Sequence, residues 1–267
     1  MSKLKNLIEK YIELGITEQI DYDKLYLYSI ITHSTAVEGS TVTEIENRLL
    51  FDEGISPNKP IEEQMMNLDL KRAYEEAKVL SEQHVEFSID MLCRLSALTM
   101  KNTGKEYKTL IGNFDSSKGY FRKLNVTAGR GGKSYMSYQK VPKRLEDFCN
   151  WINDQRKTLS PDDIEKTYEV SFLAHYNLVY IHPWADGNGR MARLVMNMIQ
   201  MEFGLIPSFV NKDKRDEYIK SLALSQDTDD PKPFIDFMFK HHYENLERAI
   251  KEYTESIEKD TLKLDLI

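Results

Sequence analysis

Apolar residues three and four positions apart recur in segment after segment of this chain, and the longest break in that rhythm is the stretch from Thr103 to Pro142. A period of this kind belongs to helices that each bury one stripe, so the chain has to fold mainly as helices packed on helices. Leu4, Leu7, Ile8, Tyr11, Ile12 and Leu14 form the first stripe, closed by Gly15. The run from Leu25 to Ile31 is ambiguous: its aromatic and β-branched residues favour a strand, while its context is helical. Thr43 and Glu46 have the spacing of a capping box ahead of Ile45, Leu49 and Leu50, and Gly54 to Pro60 reads as a loop. Helices are predicted over 62–82 and from a Ser88 cap to about Lys101. Leu145, Phe148, Cys149 and Ile152 share the face of another, and Ser160-Pro161 reads as the cap and first residue of a helix reaching about Tyr180. Met191, Leu194, Val195 and Met198 mark the next helix, ended by Gly204 and Pro207, and a last one covers about 234–259.

Between Thr103 and Pro142 glycines cluster and the period fades. Tyr120-Phe121-Arg122 and Leu124-Asn125-Val126-Thr127 are expected to be short strands, with Gly129 to Gly132 as the turn beside them. Gly131-Gly132-Lys133-Ser134 has the ending of a phosphate-binding loop. The first glycine of that motif would stand at Thr127, however, and no helical pattern follows, so the glycines belong to the turn region. The expected fold class is mostly α with one β-hairpin. Hydrophobic residues at 41% and charged residues at 30% fit a soluble globular protein, and no apolar run nears the ~20 residues of a membrane span. The charged amphipathic start is unlike a secretory signal, and Cys93 and Cys149 read as core thiols of a reducing compartment, so a cytoplasmic location is expected. A net charge of −7 argues against nucleic-acid partners.

The segment that carries chemistry is Ile181-His182-Pro183-Trp184-Ala185-Asp186-Gly187-Asn188-Gly189-Arg190-Met191-Ala192-Arg193. It reads as a loop feeding the start of a buried amphipathic helix. Gly187 and Gly189 carry no Cβ, so backbone N–H groups there can face an anion closely. The helix start adds unpaired donors and the positive end of the helix dipole, a combination suited to phosphates. Arg190 and Arg193, three apart, can grip neighbouring phosphoryl groups of one ligand. Asp186 is a hard oxygen ligand placed to hold Mg2+ against them, and the imidazole of His182 is suited to removing a proton near neutral pH. Each residue alone has an ordinary structural role as turn, cap or solvated face; their concurrence in one short stretch points to chemistry. His241-His242, and the pair His175 and His182, lack a third ligand at useful spacing, so zinc is not expected.

This stretch is similar to the signature of the Fic family, His-Pro-Phe-x-Asp/Glu-Gly-Asn-Gly-Arg-x-x-Arg, and matches every fixed position but one. Trp184 stands where phenylalanine is usual, and a larger aromatic can anchor the loop with some repacking. His175 to Tyr180 resembles the family's helix before the motif, and Gly119-Tyr120-Phe121-Arg122 through Thr127 looks like its target-aligning flap. The resemblance covers about residues 60–240. It implies a Fic-type helical bundle with one β-hairpin flap. The expected division is an N-terminal helical region over 1–60, a catalytic core over 61–240 with the flap at about 119–139, and a C-terminal helix over 241–267.

It further implies a protein adenylyltransferase, in which His182 deprotonates a target hydroxyl that attacks the α-phosphate of ATP. Asp186 would hold Mg2+, the amides of Gly187, Asn188 and Gly189 would cradle the phosphates, and Arg190 would support the β-phosphate. Arg193 would meet the γ-phosphate, and Tyr218 falls where family members line the adenine pocket, although an amphipathic tyrosine in a core helix is an equal alternative. Gly119, Tyr120, Arg122, Val126 and Thr127 would contact the target protein.

Upstream, Ser34-Thr35-Ala36-Val37-Glu38-Gly39 resembles the family's inhibitory motif, Ser/Thr-x-x-x-Glu-Gly/Asn. On a helix Ser34 and Glu38 share a face, with Gly39 ending it. The resemblance implies that Glu38 pairs with Arg193 in the space of the γ-phosphate, and that Leu25 to Glu38 is helical. The partner is then a protein with a Tyr, Ser or Thr hydroxyl, with self-modification and a homodimer among the expectations. Removal of AMP, or transfer of another phosphate-linked group, uses the same residues and stays open. A non-enzymatic nucleotide-binding role stays open too, although the intact motif counts against it.

Overall fold

Capping chemistry sets the helix boundaries in the first third of the chain. The Thr43 hydroxyl accepts from the Glu46 N–H, and the Glu46 carboxylate accepts from the Thr43 N–H at 2.8 Å. This complete capping box opens α3 (Glu44–Arg48), after α1 (Lys3–Glu13) and α2 (Tyr22–Val37). In the computed structural model, which describes residues 3–128 and 134–264, a π-turn and the loop from Gly54 lead into α4 (Ile61–Glu82). Ser88 then caps α5 (Ile89–Thr99), its hydroxyl accepting from the Met91 N–H at 3.2 Å. After two short strands, β1 (Glu106–Tyr107) and β2 (Phe114–Asp115), come α6 (Val141–Thr158), α7 (Ile164–Ile181), α8 (Asn188–Glu202), α9 (Arg215–Thr228) and α10 (Lys232–Leu264).

Helix α8 is the centre. Its residues from Arg190 to Gln200 are all buried, as a helix must be when neighbours cover every face. Helix α7 packs along it most extensively, with α4, α5 and α2 around the rest. Helix α10 braces α1, α7 and α9, so one apolar core runs from Leu4 and Ile8 through Trp184 and Val195 to Leu246 and Ile250. None of the described helices is long and apolar enough to cross a membrane.

The ambiguous run from Leu25 to Ile31 lies inside α2, where Tyr28, Ile30 and Ile31 are all buried. Strand propensity lost to burial there. Two expectations need correction. Ser160-Pro161 does not start the next helix: α7 begins at Ile164, and the Asp163 carboxylate accepts from the Ser160 N–H at 3.1 Å and its hydroxyl at 2.9 Å. Proline therefore sits in a turn that precedes the helix. The strands expected at 120–122 and 124–127 are also absent as ladders. Thr127 and Ser134 make an isolated antiparallel bridge, and the Tyr135 N–H donates to the Val126 carbonyl at 3.0 Å. The hairpin of this fold lies earlier, where β1 pairs antiparallel with β2 and the rings of Tyr107 and Phe114 stack at 4.9 Å. The expected turn at Gly129 to Gly132 falls outside the described residues.

The reason for the missing strand at 120–122 is that its backbone is committed elsewhere. The Arg122 N–H donates to the Pro183 carbonyl at 3.1 Å, tying this segment to the loop before α8. Gly119 sits just ahead with φ +70°, where a Cβ would lie 2.0 Å from the Cys93 carbonyl oxygen. Only glycine fits that approach.

Candidate active site

The loop between α7 and α8 is fastened from three sides. His182 ends α7 in the left-handed region, φ 53°, its N–H donating to the Leu178 carbonyl at 3.0 Å. That backbone is strained for a residue with a Cβ, on the order of 1–3 kcal/mol, so the surroundings must hold it. Arg122 does so, being 1% exposed and donating from Nε to the His182 carbonyl at 2.7 Å. Its other nitrogens bind the carbonyls of Leu124 and Met136, so the guanidinium joins both arms of the flap region to the loop. Trp184 is fully buried, and its indole N–H donates to the Gly119 carbonyl at 3.0 Å. The Asn188 amide folds back on Trp184, accepting from its N–H at 3.0 Å and donating to its carbonyl at 2.9 Å. The side chain of Asn188 thus shapes the loop and leaves its backbone amide for a ligand.

Gly187 provides the turn into α8 with φ 78°. The following amides open the helix without intrahelical acceptors and face the positive end of its dipole. Asp186 stands at the rim with its side chain 56% exposed; its carboxylate accepts from the Gly187 N–H at 2.6 Å and lies 3.7 Å from Arg190. Arg190 is buried, one nitrogen donating to the Thr99 carbonyl at 3.4 Å and another facing the Met100 sulfur at 3.1 Å. Two buried arginines on adjacent turns beside an open helix start make a strongly positive cradle.

One acidic side chain occupies that cradle. Glu38 Oε1 accepts from Arg193 Nη2 at 2.6 Å, across the interface of α2 and α8. Ser34 adds two contacts, its hydroxyl accepting from Arg193 Nε at 2.8 Å and its carbonyl from Nη2 at 3.0 Å. Gly39, at φ 107°, turns the chain away directly after the carboxylate. Gly189 faces the pair so closely that a Cβ there would lie 2.7 Å from Glu38 Oε1 and 3.1 Å from Arg193 Nη1. Burial acts to raise the Glu38 carboxyl, but the charge and hydrogen bond of Arg193, with Arg190 and Arg215 behind, outweigh it and hold the carboxyl below its usual range. Arg215 also donates from Nε to the Val37 carbonyl at 2.7 Å, gripping the end of the same helix.

The His182 ring lies under the flap segment. Tyr135 stacks on it, with ring centroids 3.7 Å apart and planes 18° from parallel. Burial pushes the imidazole down to about 4, with the Val179 carbonyl acting in the opposite direction, so the ring is neutral and able to accept a proton. Tyr218, placed by sequence near an adenine pocket, is 2% exposed beneath Arg193, and its hydroxyl accepts from Arg193 Nη1 at 3.3 Å.

The sequence-derived set therefore gathers around one cradle: His182, Asp186, Gly187, Asn188, Gly189, Arg190 and Arg193 from the loop and α8, with Ser34, Glu38 and Gly39 reaching in from α2. Tyr218 joins it from below. Within the flap segment, Arg122 is a buried clamp rather than a contact for a target, while Tyr120 is 59% exposed. Gly119 is packed against α5, and Val126 and Thr127 contribute the single bridge. Tyr135 is the residue that the sequence did not single out. Its only signal is an aromatic side chain directly after a glycine cluster. Among the described residues no group of three or more His, Cys, Asp or Glu converges as a metal cage.

Residues 86–200 match the family model described as Fic/DOC family. A protein adenylyltransferase fic-1 of Caenorhabditis elegans is 32% identical over 85% of this chain, and the match spans 41% of that protein. A protein adenylyltransferase Fic of Drosophila melanogaster is 30% identical over 78% of the chain and 39% of its own length. The chain thus spans about two fifths of the curated relatives it matches. The solved structure of Fic-1 residues 134–508 from C. elegans superposes with a TM-score of 0.74 at 25% identity, covering 95% of this chain and 72% of that one. A Fic-domain signalling protein from Bacteroides thetaiotaomicron shares the fold with a TM-score of 0.76 at 21% identity, over 95% and 97% of the two chains. With every fixed position of its motif but Trp184 matched at the start of α8 and its fold shared, the chain belongs to the Fic/DOC family.

Proposed function

We propose that the protein transfers AMP from ATP to a hydroxyl side chain of a protein, and that the arrangement described above is its inhibited state. The observation that carries this reading is the Glu38–Arg193 pair at 2.6 Å, set at a phosphate-binding helix start with a neutral histidine beside it. The naming of the curated relatives as protein adenylyltransferases supports the same chemistry.

In this reading ATP lays its phosphates along the start of α8. The amides of Gly187, Asn188 and Gly189 bind the α- and β-phosphate oxygens, Arg190 balances the β-phosphate, and Arg193 turns to the γ-phosphate once Glu38 withdraws. His182 Nε2 takes the proton of the target hydroxyl, whose oxygen forms a bond to the α-phosphorus while the bond to the β-phosphate bridging oxygen breaks. Pyrophosphate leaves and AMP stays on the target. The work is mainly positioning and charge stabilisation in a dry site. Asp186 is the carboxylate that would hold Mg2+. Its half-exposed oxygens at the rim of the cradle fit a hard cation that keeps waters and phosphates as its other ligands. When bound, that ion would neutralise charge building on the phosphates.

Glu38 blocks this by filling the γ-phosphate position, so ATP can enter only with its α-phosphate out of line. The acidic chain and its two buried-side thiols, both pushed up by burial, fit a cytoplasmic enzyme with no redox role for cysteine.

The direct test uses Glu38→Gly with Mg2+ and ATP labelled at the α- or the γ-phosphate. Label transferred to protein from α-labelled ATP alone, stronger than in the unmutated chain and lost in a His182→Ala control, is the expected result. Label from γ-labelled ATP alone would make the protein a kinase. No label from either, with release of AMP from a pre-modified target, would make it a remover of AMP.

A further inference from the structure

Arg193 makes four hydrogen bonds, and three of them run to Ser34 and Glu38 on α2. When Glu38 withdraws with its helix, those three are the ones at risk. The fourth runs the other way, into the core, to the Tyr218 hydroxyl at 3.3 Å. Behind Tyr218 lies His175, its Nε2 3.0 Å from the same hydroxyl.

The proton arrangement of this chain follows from chemistry. A guanidinium only donates, so the Tyr218 oxygen accepts from Arg193. The tyrosine proton is then free to go to His175 Nε2, which accepts only in a neutral ring carrying its hydrogen on Nδ1. A neutral ring fits its surroundings, since burial first and the Arg193 charge second push His175 well below its usual range. Both rings are fixed by packing. His175 stacks on Phe234 with centroids 4.8 Å apart, and Tyr218 is T-shaped to Phe234 and tilted against Phe237. Neither residue belongs to α2: His175 is on α7 and Tyr218 on α9.

We infer that Tyr218, oriented by His175, is a positioning residue that keeps Arg193 aimed at the γ-phosphate after the inhibitory helix lets go. The inference rests on the proposed adenylyltransferase reading, in which Arg193 meets that phosphate. It assigns the tyrosine to the phosphate end of the nucleotide, not to the adenine end. It also means that Arg193 is held in one posture from below in both states, while its outer edge exchanges a carboxylate for a phosphate.

The test compares nucleotide binding and kinetics in the Glu38→Gly background, with and without Tyr218→Phe, which removes the hydroxyl and keeps the ring. ATP affinity is expected to fall about tenfold, as for loss of one charge-assisted hydrogen bond, while ADP, which lacks the γ-phosphate, binds within about twofold of before. KM for ATP should rise with kcat at saturating ATP nearly unchanged. His175→Leu should reproduce this pattern, and His175→Gln, which keeps an acceptor near the Nε2 position, should restore most of the ATP affinity. Equal loss of ATP and ADP, or no change in either, overturns the inference while leaving the functional reading in place. If the Glu38→Gly protein itself binds neither nucleotide, the functional reading fails and the inference falls with it.

Discussion

The two helices that meet at the Glu38–Arg193 pair are held by different kinds of interaction. Helix α8, which carries Arg193, is surrounded by side chains such as Met191, Leu194, Val195 and Ile199, all 2% exposed or less. The last turns of α2, which carry Glu38, are fastened largely by a buried polar web. Its hub is Asn67 on α4, whose amide oxygen accepts from the Thr35 hydroxyl at 2.8 Å and from Asn47 at 2.9 Å. Its amide nitrogen donates to the Ser40 hydroxyl at 3.1 Å and the Glu63 carbonyl at 2.8 Å, so every capacity of the amide is used. Asn47 also donates to Thr32 at 2.8 Å.

Apolar burial is lost outright when surfaces part, whereas each neutral hydrogen bond exchanged for water changes the balance by only about 0.5–1.5 kcal/mol. The difference teaches which side of the pair can move. On this ground Arg193 belongs to the more firmly held side, and the proposed release of Glu38 would part mainly polar contacts.

The sharpest way to break this comparison is on the fixed side. His182→Ala in the Glu38→Gly background should lower AMP transfer by on the order of 10²–10⁴-fold, with thermal stability nearly intact; a loss below tenfold would deny His182 its role as base. Trp184→Ala strikes the same side structurally. It should destabilise the fold by about 3–5 kcal/mol in chemical denaturation, because the fully buried ring leaves a cavity beneath the loop. On the movable side, Glu38→Gly alone should raise activity by about 30- to 150-fold, the release expected when a closed state favoured by about 2–3 kcal/mol is removed.

Asn67→Ala should raise activity a few-fold in the unmutated protein and change nothing in the Glu38→Gly protein. Additive effects in the double variant would show that the web does not act through Glu38.

The smallest effect is in pH. Because burial lowers His182 from its ordinary 6.5 to about 4, the neutral ring favours the folded state above pH 6.5. That contribution fades as pH falls between those two values. The acid limb of kcat/KM at saturating Mg2+ should accordingly lie well below 6.5. A limb at 6.5 would mean an exposed, ordinary imidazole.

Most of the fixed side was legible in the sequence, and the movable side only in part. The segment from His182 to Arg193 is local: its glycines, its cap and its arginines are spaced by the helix period itself, so linear order nearly equals spatial order. Glu38 was found because Ser34 and Glu38 also lie one turn apart. The web around Asn67 was not found, because it joins four chain segments whose only common property is a small polar side chain. Tyr218 shows the same limit, since the sequence does not reveal that its hydroxyl lies between Arg193 and His175, contacts made across three helices. The flap is less regular than its residues suggest: aromatic and β-branched side chains favour strands, and Arg122 instead spends its backbone and guanidinium on the loop before α8.

Glu38 and Arg193 are parts of one chain, so the carboxylate can never diffuse away from the guanidinium it pairs with. Its local concentration is set by the length and stiffness of the connection through the core and does not fall when the protein is diluted. The pairing of Glu38 with Arg193 is therefore independent of protein concentration. What can change that pairing is an anion that competes for Arg193, or a ligand that grips α2.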